Sequence, residues 1–251
     1  RLMKERRNRP VHPGERSVVR FSPLERFLHV LVIVSFIGLA LTGMSLKFSN
    51  QVWAQWLSRL FGGFTSAGYI HRFCALVTFF YFGAHVVDLF RKKVLSGRSW
   101  FRFLLGPDSM VPNWTDLKEF IATYRWFLGL GPRPAYGRWT YWEKFDYFAV
   151  FWGVLIIGST GMVLWFPEIF TRIFPGWAIN VATIVHSDEA LLAVGFIFTI
   201  HFFNTHLRPD RFPMDTVIFT GRVPLEEFKE ERPREYEEMV KAGKLERSLI
   251  D

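Results

Sequence analysis

One cysteine is present in 251 residues, Cys74, and it lies in an apolar run. That count excludes a disulfide within the chain, a Cys-x-x-Cys-His attachment for c-type haem and a cysteine-ligated iron–sulfur cluster. Charge is missing too, in four places. Asp, Glu, Lys and Arg are absent from Phe27–Leu46, from Phe148–Phe166, from Phe73–Val87, which contains His85, and from Ala190–Thr205, which contains His201. Each run approaches the roughly 20 apolar residues that cross a bilayer core. A mean hydropathy of only +0.14 averages these runs with long charged connections, so a hydrophobic fraction of 50% requires no soluble core.

Basic residues are scarce in two of the connections. There are two Lys or Arg in residues 47–68 and one in 167–185, against 27 in the two ends and the central connection. Positively charged loops stay on the cytoplasmic side, so both termini and the central connection are expected there. The pI near 9.8 therefore has a membrane explanation and does not call for nucleic acid as a partner.

The expected architecture is an all-α integral membrane protein, a bundle of four transmembrane helices at about 24–47, 67–91, 142–166 and 178–207. A basic cytoplasmic arm, residues 1–23, precedes the membrane domain 24–207, and a charged cytoplasmic tail, 208–251, follows it. The stretch Asp116–Leu130 reads as a short amphipathic helix at the interface, with Trp126 and Phe127 as anchors. The tail is helical in part, and a solvated tail is favoured over one that docks a partner. An internal repeat is visible as well: Thr42-Gly43-Met44 near the end of the first span returns as Thr160-Gly161-Met162 near the end of the third. Two helical hairpins related by an axis along the membrane normal would produce it.

Five of the seven histidines fall in or beside the spans: His29 in the first, His71 and His85 in the second, His186 and His201 in the fourth. Ionisable groups at membrane depth are costly, so such a concentration points to a functional site. His71 and His85 are 14 residues apart, about 21 Å along a helix and nearly on one face. His186 and His201 are 15 apart, about 22 Å, with a face offset of about 60°. The second and fourth spans run in the same direction, so His71 shares a depth with His186 and His85 with His201. A histidine from each of two helices can hold a planar haem iron between them. Two haems at two depths make an electron path through the bilayer. Zinc fits less well, because its ligands gather at one point. His29 competes for the inner position, while the repeat favours His85 with His201, since Tyr147 matches His29 in the third span.

Taken together and in order, Arg26-Phe27-Leu28-His29, Leu41-Thr42-Gly43, Gly68-Tyr69-Ile70-His71, Trp142-Glu143-Lys144-Phe145, Thr160-Gly161, His186 with His201, and Arg232-Pro233-Arg234-Glu235-Tyr236 carry a resemblance. The chain resembles the cytochrome b gamma subunits of respiratory formate dehydrogenases and the related cytochrome b subunits of nickel–iron hydrogenases. The resemblance implies two haem b groups, the outer held by His71 and His186 and the inner by His29 and His201. His85 is the alternative to His29. The family usually has no histidine at that position, and the helix-four spacing is 15 where the formate dehydrogenase type has 14. Further implications are a menaquinone or ubiquinone site on the cytoplasmic side, with Tyr141, Glu143, Lys144, His206 and Arg208 as candidates by position. Partner subunits carrying iron–sulfur clusters or multiple haems, and a bacterial or archaeal cytoplasmic membrane, complete the picture. The expected role is an electron-transfer subunit of an oxidoreductase complex. Two rival readings are a haem-free anchor whose histidines relay protons and a self-contained transmembrane reductase. Outer loops of only some 20 residues leave the reductase little room for a substrate.

Overall fold

A computed structural model describes residues 16–208 and 211–250. Most of the expected basic arm thus lies outside the described residues. Among the described residues, four helices are long and apolar enough to cross a membrane: Pro23–Lys47, Phe64–Ser96, Tyr141–Trp165 and Trp177–Leu207. Their existence follows from the missing charge, and their starts follow from capping. Ser22 and Glu25 form a capping box before the first span, the Ser22 N–H donating to Glu25 Oε2 at 2.8 Å and the Glu25 N–H to Ser22 Oγ at 3.3 Å. Thr140 and Glu143 repeat the arrangement before the third span, at 2.8 and 3.5 Å. These two boxes are separated by the same 118 positions as Thr42-Gly43 and Thr160-Gly161, so the repeat covers whole helices rather than one tripeptide.

The second span is longer than expected at both ends, because Arg91, Lys92 and Lys93 end the apolar run without ending the helix. The outer connection before it contains a helix, Val52–Leu60, that the sequence reading did not anticipate. The fourth span is not uniformly α-helical. Ile197–His201 and Phe203–Leu207 are π-turns, with hydrogen bonds reaching five residues back.

The chain divides into two compact units. The first comprises Phe27–Arg91 with Ala149–Phe203. In it the helices leave much apolar surface uncovered: Val34, Phe73, Leu155 and Leu192 are each more than 60% exposed. A soluble protein rarely shows such continuous apolar surface, and a bilayer covers it. The inward stripe of the second span is Ala67, Cys74 and Tyr81, all buried and seven residues apart. His71 and Thr78 stand four residues beyond Ala67 and Cys74, and His85 four beyond Tyr81, on one neighbouring stripe. Phe79 lies against Gly158, and Phe82 against Phe151 with ring centroids 4.9 Å apart, joining the second helix to the third.

The remaining described residues form the second unit, and here a small sheet that the sequence did not announce accompanies the helices. Ser17–Val19 (β1), Arg222–Pro224 (β2) and Leu249–Ile250 (β3) make an antiparallel sheet in the order β2-β1-β3. The preference for a solvated tail is corrected. Val18, Val223 and Phe228 form a buried core, with Leu225, Tyr236, Met239 and Leu249 packed around it. The tail's charges are paired with residues far away in sequence. Arg20 Nη1 donates to Glu235 Oε2 at 2.7 Å with both side chains buried, Arg232 Nη2 to Glu143 Oε1 at 2.7 Å, and Arg234 Nη2 to Glu119 Oε1 at 2.6 Å. Removing one partner of such a buried pair typically costs about 3–5 kcal/mol, because the other charge is stranded. Burial pushes Arg20 down to about 10, with the neighbouring Arg232 charge adding to the effect. Burial also works against the charge on Arg232, but Glu143 outweighs it and raises the guanidinium's affinity for its proton.

The amphipathic helix of this unit spans Trp114–Phe127, capped by Asn113 and Asp116. It stops short of the expected Leu130 because Gly129 adopts φ of 72°, a left-handed helix stop. Trp126 and Phe127 are exposed, as anchors would be, while Glu119 and Thr123 face inward.

Candidate functional site

His71 and His186 are held by the two copies of the repeat. His71 Nδ1 is 3.0 Å from Thr42 Oγ1, and the Thr42 hydroxyl donates to the Gly38 carbonyl at 2.6 Å. With its proton committed to Gly38, the Thr42 oxygen meets the ring as an acceptor, so Nδ1 carries hydrogen. His186 Nδ1 is 2.9 Å from the Ile157 carbonyl and 3.4 Å from Thr160 Oγ1, whose own proton goes to the Ile156 carbonyl at 2.6 Å. A carbonyl only accepts, so here too Nδ1 is the donor. Each ring in this tautomer presents Nε2 with a lone pair, which is the metal-binding form.

The glycine of each motif makes room for its ring. A Cβ at Gly43 would stand 3.2 Å from His71 Cε1, and one at Gly161 would stand 3.0 Å from His186 Cε1. The motif Thr-Gly is therefore a cradle, the threonine oxygen accepting a hydrogen bond from the ring's Nδ1–H and glycine letting the helix approach. Sequence reading noticed the repeated Thr-Gly-Met and missed its role, because the partner histidines lie on the next helix.

The two rings face one another across the helices, with centroids 6.2 Å apart and planes at 72°. Two imidazoles bound axially to one metal at about 2 Å, each ring centre about 1.1 Å behind its nitrogen, have centroids separated by about 6–6.5 Å. The separation, the tautomers and the donor set of two imidazoles all fit a bis-histidine haem. Close by, Lys47 Nζ donates to Asp188 Oδ1 at 2.7 Å and to Ser187 Oγ at 2.9 Å, tying the first helix to the fourth one residue beyond His186.

His29, His85 and His201 are half-buried. His29 lies near the start of the first span. His85 stands edge-on to Phe151, 6.0 Å between centroids, and His201 closes the first π-turn of the fourth span.

In the second unit, a polar cleft is lined by Tyr136, Trp142, Glu143, Asn204, Arg208 and Arg232, among others. Of the five candidates for quinone contact, Glu143 and Arg208 line it. Glu143 is engaged by Arg232 and by the helix cap, and the Arg208 guanidinium lies 5.8 Å from the centre of the Trp142 ring. Lys144 is 4% exposed and pairs with Asp116 at 2.9 Å. Tyr141 packs its ring on Phe120, centroids 5.4 Å apart, and His206 Nδ1 accepts the Asp215 N–H at 3.3 Å. The partners Arg232 and Asp116 were not singled out for this role from sequence, since their pairing spans 89 and 28 positions.

No protein-family model matches the chain. Among individual proteins, the chain is similar to the cytochrome b556(Fdn) subunits of the nitrate-inducible formate dehydrogenases of Escherichia coli K12, Escherichia coli O157:H7 and Shigella flexneri. Each is 23% identical over 228 residues, which is 90% of this chain and 93% of the relative.

Proposed function

We propose that the protein is a membrane cytochrome b subunit that carries electrons across the bilayer between a quinone pool and a partner redox subunit of a respiratory complex. The observation that carries this reading is the pair His71 and His186, 6.2 Å apart and each cradled by its own Thr-Gly motif. The similarity to formate dehydrogenase cytochrome subunits supports it over nearly the whole chain.

In this reading His71 and His186 hold an outer haem b. An inner haem b takes His201 and, as the resemblance implies, His29, with His85 the alternative. Haem supplies a one-electron carrier when bound. The chain's own part is to hold and orient. Thr42 and the Ile157 carbonyl fix the tautomer of each outer ring, and hydrogen bonds of this kind raise the basicity of an imidazole ligand. The apolar helices keep water from the ligands, which tunes the potential through the local dielectric.

Menaquinone or ubiquinone would be received on the cytoplasmic side, where Glu143 and Arg208 line a cleft and Tyr141, Lys144 and His206 are nearby in sequence. Both termini and the central connection would face the cytoplasm of a bacterium or archaeon, as the distribution of Lys and Arg implies. The partner would be an iron–sulfur or multihaem subunit.

The test is reduction by a quinol analogue of the protein purified in detergent. A b-type reduced spectrum should develop with the quinol and fully with dithionite. A protein with no b-type absorption under dithionite would end the cytochrome reading, and one reduced by dithionite alone would end the quinone assignment.

A further inference from the structure

The two copies of the repeat keep a constant offset within each matched pair of helices, 118 positions between the first and third and 115 between the second and fourth, until the inner end of the fourth span. With an offset of 115 positions, buried Ala67 matches buried Ala182 and His71 matches His186. The same offset carries His85 to position 200, but position 200 is Ile and the histidine is His201. The second copy is one residue longer between its histidines.

That extra residue coincides with the π-turn Ile197–His201. The Phe202 N–H reaches back five residues to the Ile197 carbonyl, whereas Ile197 itself still makes an ordinary bond four residues back to Ala193. The Thr199 hydroxyl donates to the Gly195 carbonyl at 2.6 Å, the back-bonding that bends a helix and eases a widened turn. A π-turn accommodates one more residue than an α-turn for the same advance in angle.

The angles show what this does. In a uniform α-helix a spacing of 15 would swing His201 about 60° from the face of His186, while a spacing of 14 leaves it about 40° to the other side. His71 and His85, 14 apart on an uninterrupted α-helix, have the second relation. We infer that the π-turn Ile197–His201 holds a one-residue insertion in the second copy of the repeat and returns His201 to the face it needs as an inner haem ligand. Thr199 and Gly195 are then positioning residues for His201, although neither would touch the haem. The inference rests on the di-haem reading above and is independent of whether His29 or His85 completes the inner site.

The test is a pair of one-residue length changes. Deleting Thr199 removes the insertion, and the inference expects a continuous α-helix, an unaltered haem content and two bis-histidine low-spin signals in electron paramagnetic resonance. Inserting one alanine after Thr199 should halve the haem content and leave the signal of the outer site, whose ligands lie upstream. The outer signal also reports that each variant has folded. A deletion variant that loses haem, or an insertion variant that keeps both haems, overturns the inference. An unaltered chain that binds fewer than two haems overturns the di-haem reading instead.

Discussion

The first and second halves of the membrane domain are built from the same parts, and they differ at one end. Each half begins with a Ser or Thr and Glu capping box, ends its first helix in Thr-Gly, and sets the histidine of its second helix against that motif. At the opposite end the halves diverge. The first has His29 where the second has Tyr147, and the second has a π-turn where the first has regular α-helix. Symmetry is thus kept around His71 and His186. It is given up at the other end of the helices, around His29 and His201. The pair His71 and His186 is alike in detail too: His186 meets the Ile157 carbonyl at 2.9 Å, and His71, 3.0 Å from Thr42 Oγ1, also meets the backbone of Leu39, the position that matches Ile157.

Breaking the outer pair should give the largest effect. His71→Ala or His186→Ala should remove one of two haems and leave the other, read as a halving of haem per polypeptide with one low-spin signal surviving. Next, His201→Ala should remove the inner haem alone. His29→Ala and His85→Ala, made separately, distinguish the unequal ends: one should match His201→Ala in haem content and the other should retain both haems, and retention by both would contradict a bis-histidine inner site. A smaller effect is expected at the cradles. Gly161→Val and Gly43→Val should displace the rings and weaken haem retention at the outer site, Gly161 more than Gly43, because the clearances are 3.0 and 3.2 Å. The smallest effect belongs to the hydroxyls. Thr42→Val should loosen the outer haem about tenfold, the lower end for loss of a partner behind a metal ligand. Thr160→Val should do less, since Thr160 Oγ1 stands 3.4 Å from its histidine against 3.0 Å for Thr42, and competitive haem transfer to apomyoglobin measures both.

The spans were legible because exclusion of charge from 15 to 20 residues is a strong physical signal, and their ends were off by up to five residues where helix outlasts apolarity, as at Lys92–Ser96. The outer histidine pair was legible as a matched depth on two helices running the same way. The cradles were legible only as a repeat, because hydrogen bonding from Thr42 to His71 crosses 29 positions between helices. The π-turn appeared in the sequence only as a spacing of 15 and an awkward 60°, since a helical wheel assumes every residue turns by the same angle. The tail was the least legible part. A run such as Arg232-Pro233-Arg234-Glu235 reads as solvated, and only the fold brings Glu143, Glu119 and Arg20 to meet it.

The central claim is that His71 with His186, and His201 with His29 or His85, hold two b-type haems in one chain. It is tested most directly by extracting haem from the purified protein and dividing by polypeptide. A ratio near two with only b-type absorption is the predicted result, and a ratio near zero or one would contradict it.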